Sequence, residues 1–265
     1  MKTPRYRSRA CLRAGLVLAS PVGLLLLWWM AAGLGWVRPI VLPPPDAVLA
    51  SFLEMLRHGY SGVPLWTHLA ASAGRVGVAF AIGAVLGVAL GLLRARSGVA
   101  DALLLVPAEV LRPIPPLGLV PLFILWFGIG ELSKVLLILV SVLLIMMVSA
   151  QAGAAGASLD AIRAARSLGA SRLQVFRHVI LPSALPQIMT GLRVAMGGAL
   201  SILVASELLG GDKGLGFIVL DAANFFRTPY VFAGVLLIGA LGMAADRLFA
   251  WLGRRVVHWQ RQADT

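Results

Sequence analysis

The sequence predicts an all-α integral membrane protein with six transmembrane helices. Both termini are in the cytoplasm (N-in/C-in), and a cytoplasmic helix pair joins helices 4 and 5. Three observations predict this. The chain is 59% hydrophobic and only 13% charged, against about 25% charged in a soluble domain. Charge-free runs recur near the ~20 residues that a span needs: Ala14–Val37, Val76–Leu93, Pro113–Gly130, Val135–Leu159, Val194–Ser206 and Thr228–Ala245. The positive charge is also distributed unevenly between the connecting segments.

Allowing a few internal charges, the spans are roughly 15–37, 68–93, 101–128, 133–153, 181–207 and 229–252. With the N-terminus inside, fourteen of the 23 Lys and Arg residues fall on the cytoplasmic side: Lys2, Arg5, Arg7, Arg9, Arg13, Arg94, Arg96, Arg163, Arg166, Arg172, Arg177, Arg254, Arg255 and Arg261. The outer loops hold five: Arg38, Arg57, Lys134, Lys213 and Arg227. Arg75, Arg112, Arg193 and Arg247 fall inside or at the ends of spans. This bias follows the positive-inside rule. It accounts for the net charge of +12 without a nucleic-acid partner. Cys11 is the single cysteine, so no intrachain disulfide forms.

Residues 1–14 are a basic cytoplasmic tail, read as disordered or lying on anionic lipid. Span one is read as a retained helix. Its apolar run exceeds the ~7–15 residues of a signal-peptide core, and no small-residue cleavage pattern precedes Arg38. The outer segment 38–67 opens on Leu42-Pro43-Pro44-Pro45, a stiff extended arm. Asp46 then caps a short helix to about Arg57, with Val48, Leu49, Phe52, Leu53 and Leu56 on one stripe. That stripe suits an external partner or the bilayer surface, and both readings are open.

Span two carries Gly83, Gly87 and Gly91 on one face, which lets a neighbouring helix approach closely. Span three is crowded by Pro107, Pro113, Pro115, Pro116 and Pro121. Interior proline breaks or kinks a helix. Broken helices at membrane depth need cover from protein or a water-filled cavity, so span three is read as lining a pathway. A merely kinked structural helix is the alternative. Glu109, Arg112 and Arg193 fall toward the middle or inner half, and Arg75 and Glu207 toward the outer half. Arg193 with Glu109 and Arg75 with Glu207 are the expected pairs. The same charges also read as candidate pathway groups, with Pro115 beside them, since three cations against two carboxylates favour an anionic solute.

Gly210-Gly211 and Gly214-Leu215-Gly216 form the loop after span five. They do not complete a GxxxxGK[ST] phosphate loop, and the chain has no HExxH, Cys/His metal cluster or GxSxG elbow. The expected catalytic, metal and nucleotide sites are therefore none. Residues 254–265 form a cytoplasmic C-terminal tail.

The polar interruption at 158–180 carries the most information. Ser158 caps a helix through Leu168, and Ala161, Ala164 and Ala165 favour helix. Gly169 sits where a left-handed residue ends it. Ser171 caps a second helix through Val179, and Pro182 suits the first turn of span five. The small alanine face fits a groove on another protein. The arginine rim suits an acidic partner or lipid headgroups.

Arg163-Ala164-Ala165, three residues, Gly169, nine residues, Val179, one residue and Leu181-Pro182 resemble the EAA signature of ABC-importer permeases. Two positions depart from it: Arg163 stands where the family usually has Glu, and Val179 replaces Ile. Further stretches resemble the nitrate/sulfonate/taurine branch: Leu42–Pro45, Arg112–Leu117, Pro121–Gly130, Leu168–Ser171, Thr190–Arg193 and Gly214–Gly216. The likeness covers about residues 15–259. Arg-Ala-Ala in place of Glu-Ala-Ala is similar to taurine-type members.

The resemblance implies a type I importer permease domain over 15–253, dimeric in a bacterial inner membrane. It would receive taurine, an alkanesulfonate, nitrate, bicarbonate or a thiamine precursor from a periplasmic or lipid-anchored binding protein. Two ATPase subunits would carry the ATP and magnesium, and this chain would bind no cofactor. Asp160, Arg163, Ala164, Ala165, Arg166, Leu168, Gly169, Ala170, Ser171 and Arg172 would couple to the ATPase, and spans three and five would line the passage. A stand-alone secondary transporter is the rival class.

Overall fold

The computed structural model describes residues 4–208 and 210–259, and among them every regular element is helical. The helices are α1 (Pro4–Gly33), α2 (Pro45–His58), α3 (Leu65–Arg96), α4 (Gly98–Leu111), α5 (Val120–Phe127), α6 (Glu131–Ala155), α7 (Leu159–Ser167), α8 (Arg172–Val175), α9 (Leu181–Leu208), α10 (Leu215–Asn224) and α11 (Thr228–Val256). A 3₁₀ turn, Pro116–Leu119, precedes α5, and a π-helical turn, Phe176–Ile180, joins α8 to α9. Among the described residues four helices are long and apolar enough to cross a membrane: α3, α6, the continuous Arg172–Glu207 rod, and α11. A fifth span results if α4 and the Pro116–Phe127 segment, bent by 87° at their break, form one crossing.

The described residues divide into two compact units. The first comprises those up to Leu65 together with Ile218–Val235. Here α1 begins at Pro4, so residues 4–14 are helical and continuous with span one rather than a disordered tail. Lys2 lies outside the described residues. The Trp28 indole donates to the Pro43 carbonyl at 2.9 Å and stacks on Phe232. Pro44, not Asp46, is the N-cap residue of α2, with Pro45 at the first helical position and Asp46 in the first turn. The buried face of α2 is Val48, Ser51 and Met55, while Leu49, Leu53 and Leu56 are exposed. Most of the expected stripe is thus left uncovered, apart from buried Val48, and the Ser51 hydroxyl on the packed face donates to the Ala47 carbonyl. The Tyr60 hydroxyl donates to Asp221 at 2.8 Å. Burial and then that carboxylate push its pKa far above the ordinary tyrosine range.

The second unit holds Trp66–Phe217 and the chain from Leu236 onward. Its core lies between α3, α6 and α9, around Phe80, Ile138, Val142, Met146, Ala184, Ala195 and Leu203. Small residues set the spacing. A Cβ at Gly83 would lie 2.8 Å from the Leu139 carbonyl oxygen. At Gly87 it would lie 2.6 Å from both the Leu143 oxygen and the Met146 Cβ, and at Gly91 it would collide with the Met147 oxygen. The three glycines of span two thus face three successive turns of α6, as their spacing predicts. Gly153 and Gly191 do the same between α6 and α9. Among helices in lipid such close packing, rather than exclusion of water, drives association.

Candidate coupling element and translocation recess

The segment between α6 and α9 is built by local signals. The Ser158 hydroxyl accepts the Ala161 N–H and starts α7. The helix ends with Gly169 at φ +83°, where the Ala170 N–H bonds back to the Ala165 carbonyl at 3.0 Å. Ser171 and Gln174 then form a reciprocal capping box. The second helix is α-helical only to Val175. The Leu181 N–H then reaches back five residues to the Phe176 carbonyl. That extra residue absorbs the missing N–H of Pro182, so the chain enters span five with no break where a fresh helix start was expected. Leu168 at the tip is 88% exposed, with Ala164, Gly169, Arg163, Arg166 and Arg172 also exposed around it. Arg163 lies 3.6 Å from Asp160 across one turn. The element is preformed and has an uncovered surface, as a docking surface requires.

A second feature is the break in span three. Residues 112–115 separate α4 from the Pro116 turn, and Pro115 caps that turn in extended conformation. Beside the break lies a recess of about 480 Å³. Arg112, Ile114 and Pro116 line it from the break, Ser141, Ile145 and Ser149 from α6, and Gly198, Ser201 and Ile202 from α9. Arg112 has no carboxylate within 4 Å among the described residues. The recess is otherwise apolar: its polar groups are the Arg112 guanidinium and the hydroxyls of Ser141, Ser149 and Ser201, of which Ser201 already donates to the Gly197 carbonyl at 3.1 Å.

The opposite end of the unit is locked by charge. The Arg75 Nε and Nη2 donate to Glu131 at 2.5 and 2.6 Å, and its Nη1 donates to Glu207 at 2.6 Å and to the Lys213 carbonyl at 2.8 Å. Glu207 also accepts the Ser72 hydroxyl and the Gly216 N–H, both at 2.8 Å. The Ser72 oxygen accepts the Leu215 N–H at 2.8 Å. This network fastens the 210–216 loop onto α3 and α9. It also explains the glycines, because a Cβ at Gly214 would occupy the Glu207 carboxyl group and one at Gly216 would lie 2.9 Å from Glu207 Cβ.

A model of the family described as binding-protein-dependent transport system inner membrane component matches residues 83–258. The chain belongs to this family. It is therefore a multi-pass, non-catalytic permease of the inner membrane, and it works with an ATPase and a solute-binding protein. The permease is 43% identical to the taurine transport system permease protein TauC of Escherichia coli (strain K12), over 91% of this chain and 88% of that one. It is 35% identical to the putative aliphatic sulfonates transport permease protein SsuC of Bacillus subtilis (strain 168), over 94% and 88%. Its fold is similar to a chain of the MetNI methionine ABC transporter in an inward facing conformation. The TM-score is 0.61 at 19% identity, over 72% of this chain and 97% of that one.

The structure sorts the charges of the permease differently from the sequence. Arg75 and Glu207 pair as expected. Arg193 does not meet Glu109: it forms a two-point ion pair with Asp246 of α11, at 2.7 and 3.1 Å. Glu109 is exposed and has no ion pair among the described residues. Lys134 lies not in a loop but in the first turn of α6, where it is buried beside Glu131. Sequence reasoning also missed Glu131 and Ser72 of the lock and the whole of α10. A signal for α10 was present, since Leu215, Ile218 and Ala222 share one helical face and are fully buried.

Proposed function

We propose that this permease forms a homodimer of six-span, N-in/C-in subunits that imports a small sulfonate, taurine first. The observation that carries the solute is the 43% identity with a taurine permease along nine-tenths of the chain. The Arg112 recess is consistent with it, because a sulfonate needs positive charge and hydroxyl donors. Ser183, Gln187, Thr190, Val194, Gly197 and Ser201 form one exposed face of α9, and its three hydroxyls donate to carbonyls one turn back in the same helix. The Arg193–Asp246 ion pair is about half exposed. An ion pair does not suit lipid. A second copy of the chain and a watery passage between the copies would cover both. The 158–180 element meets the ATPase in the cytoplasm, with Arg163, exposed and 3.6 Å from Asp160, in place of the usual acid.

The test is uptake into proteoliposomes that hold the permease and its ATPase, with binding protein outside. Labelled taurine enters only when ATP is enclosed, and nitrate, bicarbonate and thiamine precursors do not enter. Uptake without ATP would overturn the importer, and uptake of nitrate alone would overturn the solute. In the same assay, Arg112→Ala lowers taurine uptake about ten-fold, the value of one charge-assisted hydrogen bond, with membrane levels unchanged. Uptake equal to wild type would remove the recess from the passage.

Gly169→Val tests the coupling element. A Cβ at Gly169 meets nothing within 4 Å, so the cost is the left-handed backbone alone, about 1–2 kcal/mol. The variant accumulates normally, while its ATP hydrolysis no longer drives uptake. Coupled transport at the wild-type rate would show that the turn is dispensable.

A further inference from the structure

A recess of about 690 Å³ opens between the last turn of α3 and the helix–glycine–helix element. Arg96, Arg166 and Arg172 line it, beside Ser171, Phe176 and Ile180. None of the three arginines has a carboxylate within 4 Å among the described residues. The nearby acid Asp101 is already engaged by buried Arg94, at 2.9 Å, and by Gln151. The Arg96 guanidinium lies over the Phe176 ring, 5.4 Å from its centroid, a contact that restrains the side chain beside the recess.

The face of α3 that ends in Arg96 is apolar and uncovered. Val78, Ile82, Val85 and Leu93 fall on the Arg96 side by helical periodicity, and all four are exposed. From Val78 to Arg96 the stripe rises about 27 Å, close to the ~30 Å of a hydrocarbon core, and the arginines lie at its end. The three arginines therefore stand where one leaflet meets its headgroups. By the charge bias of the loops, that leaflet faces the cytoplasm.

We propose that this recess binds the phosphate of an anionic inner-leaflet phospholipid, with its acyl chains along the α3 stripe. Basic pockets at the cytoplasmic ends of spans recognise such headgroups. An acidic side chain of a protein partner would satisfy the arginines but leave the stripe unexplained. The site is independent of which solute the permease carries, so its test needs no transport measurement.

The permease–ATPase complex is delipidated and titrated with phosphatidylglycerol or phosphatidylcholine, and bound lipid is counted by native mass spectrometry. Phosphatidylglycerol is retained preferentially, and excess inorganic phosphate does not displace it. Arg96→Gln weakens retention about five-fold, the value of one surface charge, and Arg96→Lys restores most of it. Equal binding of the two lipids, or a preference that Arg96→Gln leaves intact, overturns the proposal. Displacement by inorganic phosphate overturns it in favour of a free anion. Release of the ATPase by Arg96→Gln with lipid unchanged overturns it in favour of a protein acid.

Discussion

Arg75→Ala removes most of the folded permease from the membrane. The Glu207 side chain is 0% exposed, and Arg75 supplies its charge partner at 2.6 Å. Without that guanidinium, a buried carboxylate keeps only the Ser72 hydroxyl and the Gly216 N–H. Glu131 loses both of its arginine bonds as well, and the Lys213 carbonyl loses its donor. Removing one partner of a buried ion pair costs about 3–5 kcal/mol, a large part of a protein's net stability. The double variant Arg75→Met with Glu207→Gln leaves no uncompensated charge at this pair. It keeps a carbonyl acceptor for Ser72 and Gly216, and it recovers most of the loss. Thermal unfolding of the purified permease and its level in membranes measure both effects. A single variant within about 1 kcal/mol of wild type would show that the lock does not hold the fold.

Gly87→Leu has the second large effect, because it drives apart the two helices at the centre of the core. A bare Cβ there would lie 2.6 Å from the Met146 Cβ and the Leu143 carbonyl oxygen. Neither can give way easily, since Met146 is fully buried and the oxygen belongs to the α6 backbone. Overpacking costs about 1–3 kcal/mol for a methylene or two, so Gly87→Ala reaches that range and Gly87→Leu exceeds it. Gly77 is the control. It lies on the same helix with nothing within 4 Å of its Cβ position, and Gly77→Ala is neutral or stabilising by about 0.5–1 kcal/mol. Melting temperatures of the three variants order them. Equal values for Gly77→Ala and Gly87→Ala would mean that the α3–α6 approach is not tight.

What was legible in the sequence was what is decided locally. Ser158, Gly169 and Ser171 act on their own neighbours through caps and one left-handed turn, so the 158–180 element was readable residue by residue. Gly83, Gly87 and Gly91 announced a packing face by spacing alone. The prolines announced the break near residue 115. What was not legible was rotation about the span axes. Arg193 finds Asp246 because α9 turns it toward α11 at that level, and no local signal sets that angle. Lys134 was misplaced, and Glu131 missed, because α6 begins at Glu131 and takes Lys134 into its first turn. A charge near the end of a span reads as exposed until a partner from another helix is known. In the candidate site, the proline-rich break and Arg112 were legible. The serines of α6 and α9 that complete the recess were not, since serine is common on buried helix faces.

The continuous helix from Arg172 to Glu207 has 36 residues, about 54 Å of rod. Its first residue belongs to the exposed helix–glycine–helix tip and its last to the Arg75 lock. Pro186 removes one N–H from its hydrogen-bond ladder, yet the helix runs on through it. In mechanical terms it is a push-rod with a compliant collar at the π turn. One helix thus joins the exposed helix–glycine–helix tip to the Arg75–Glu207 ion pair with no loop between them.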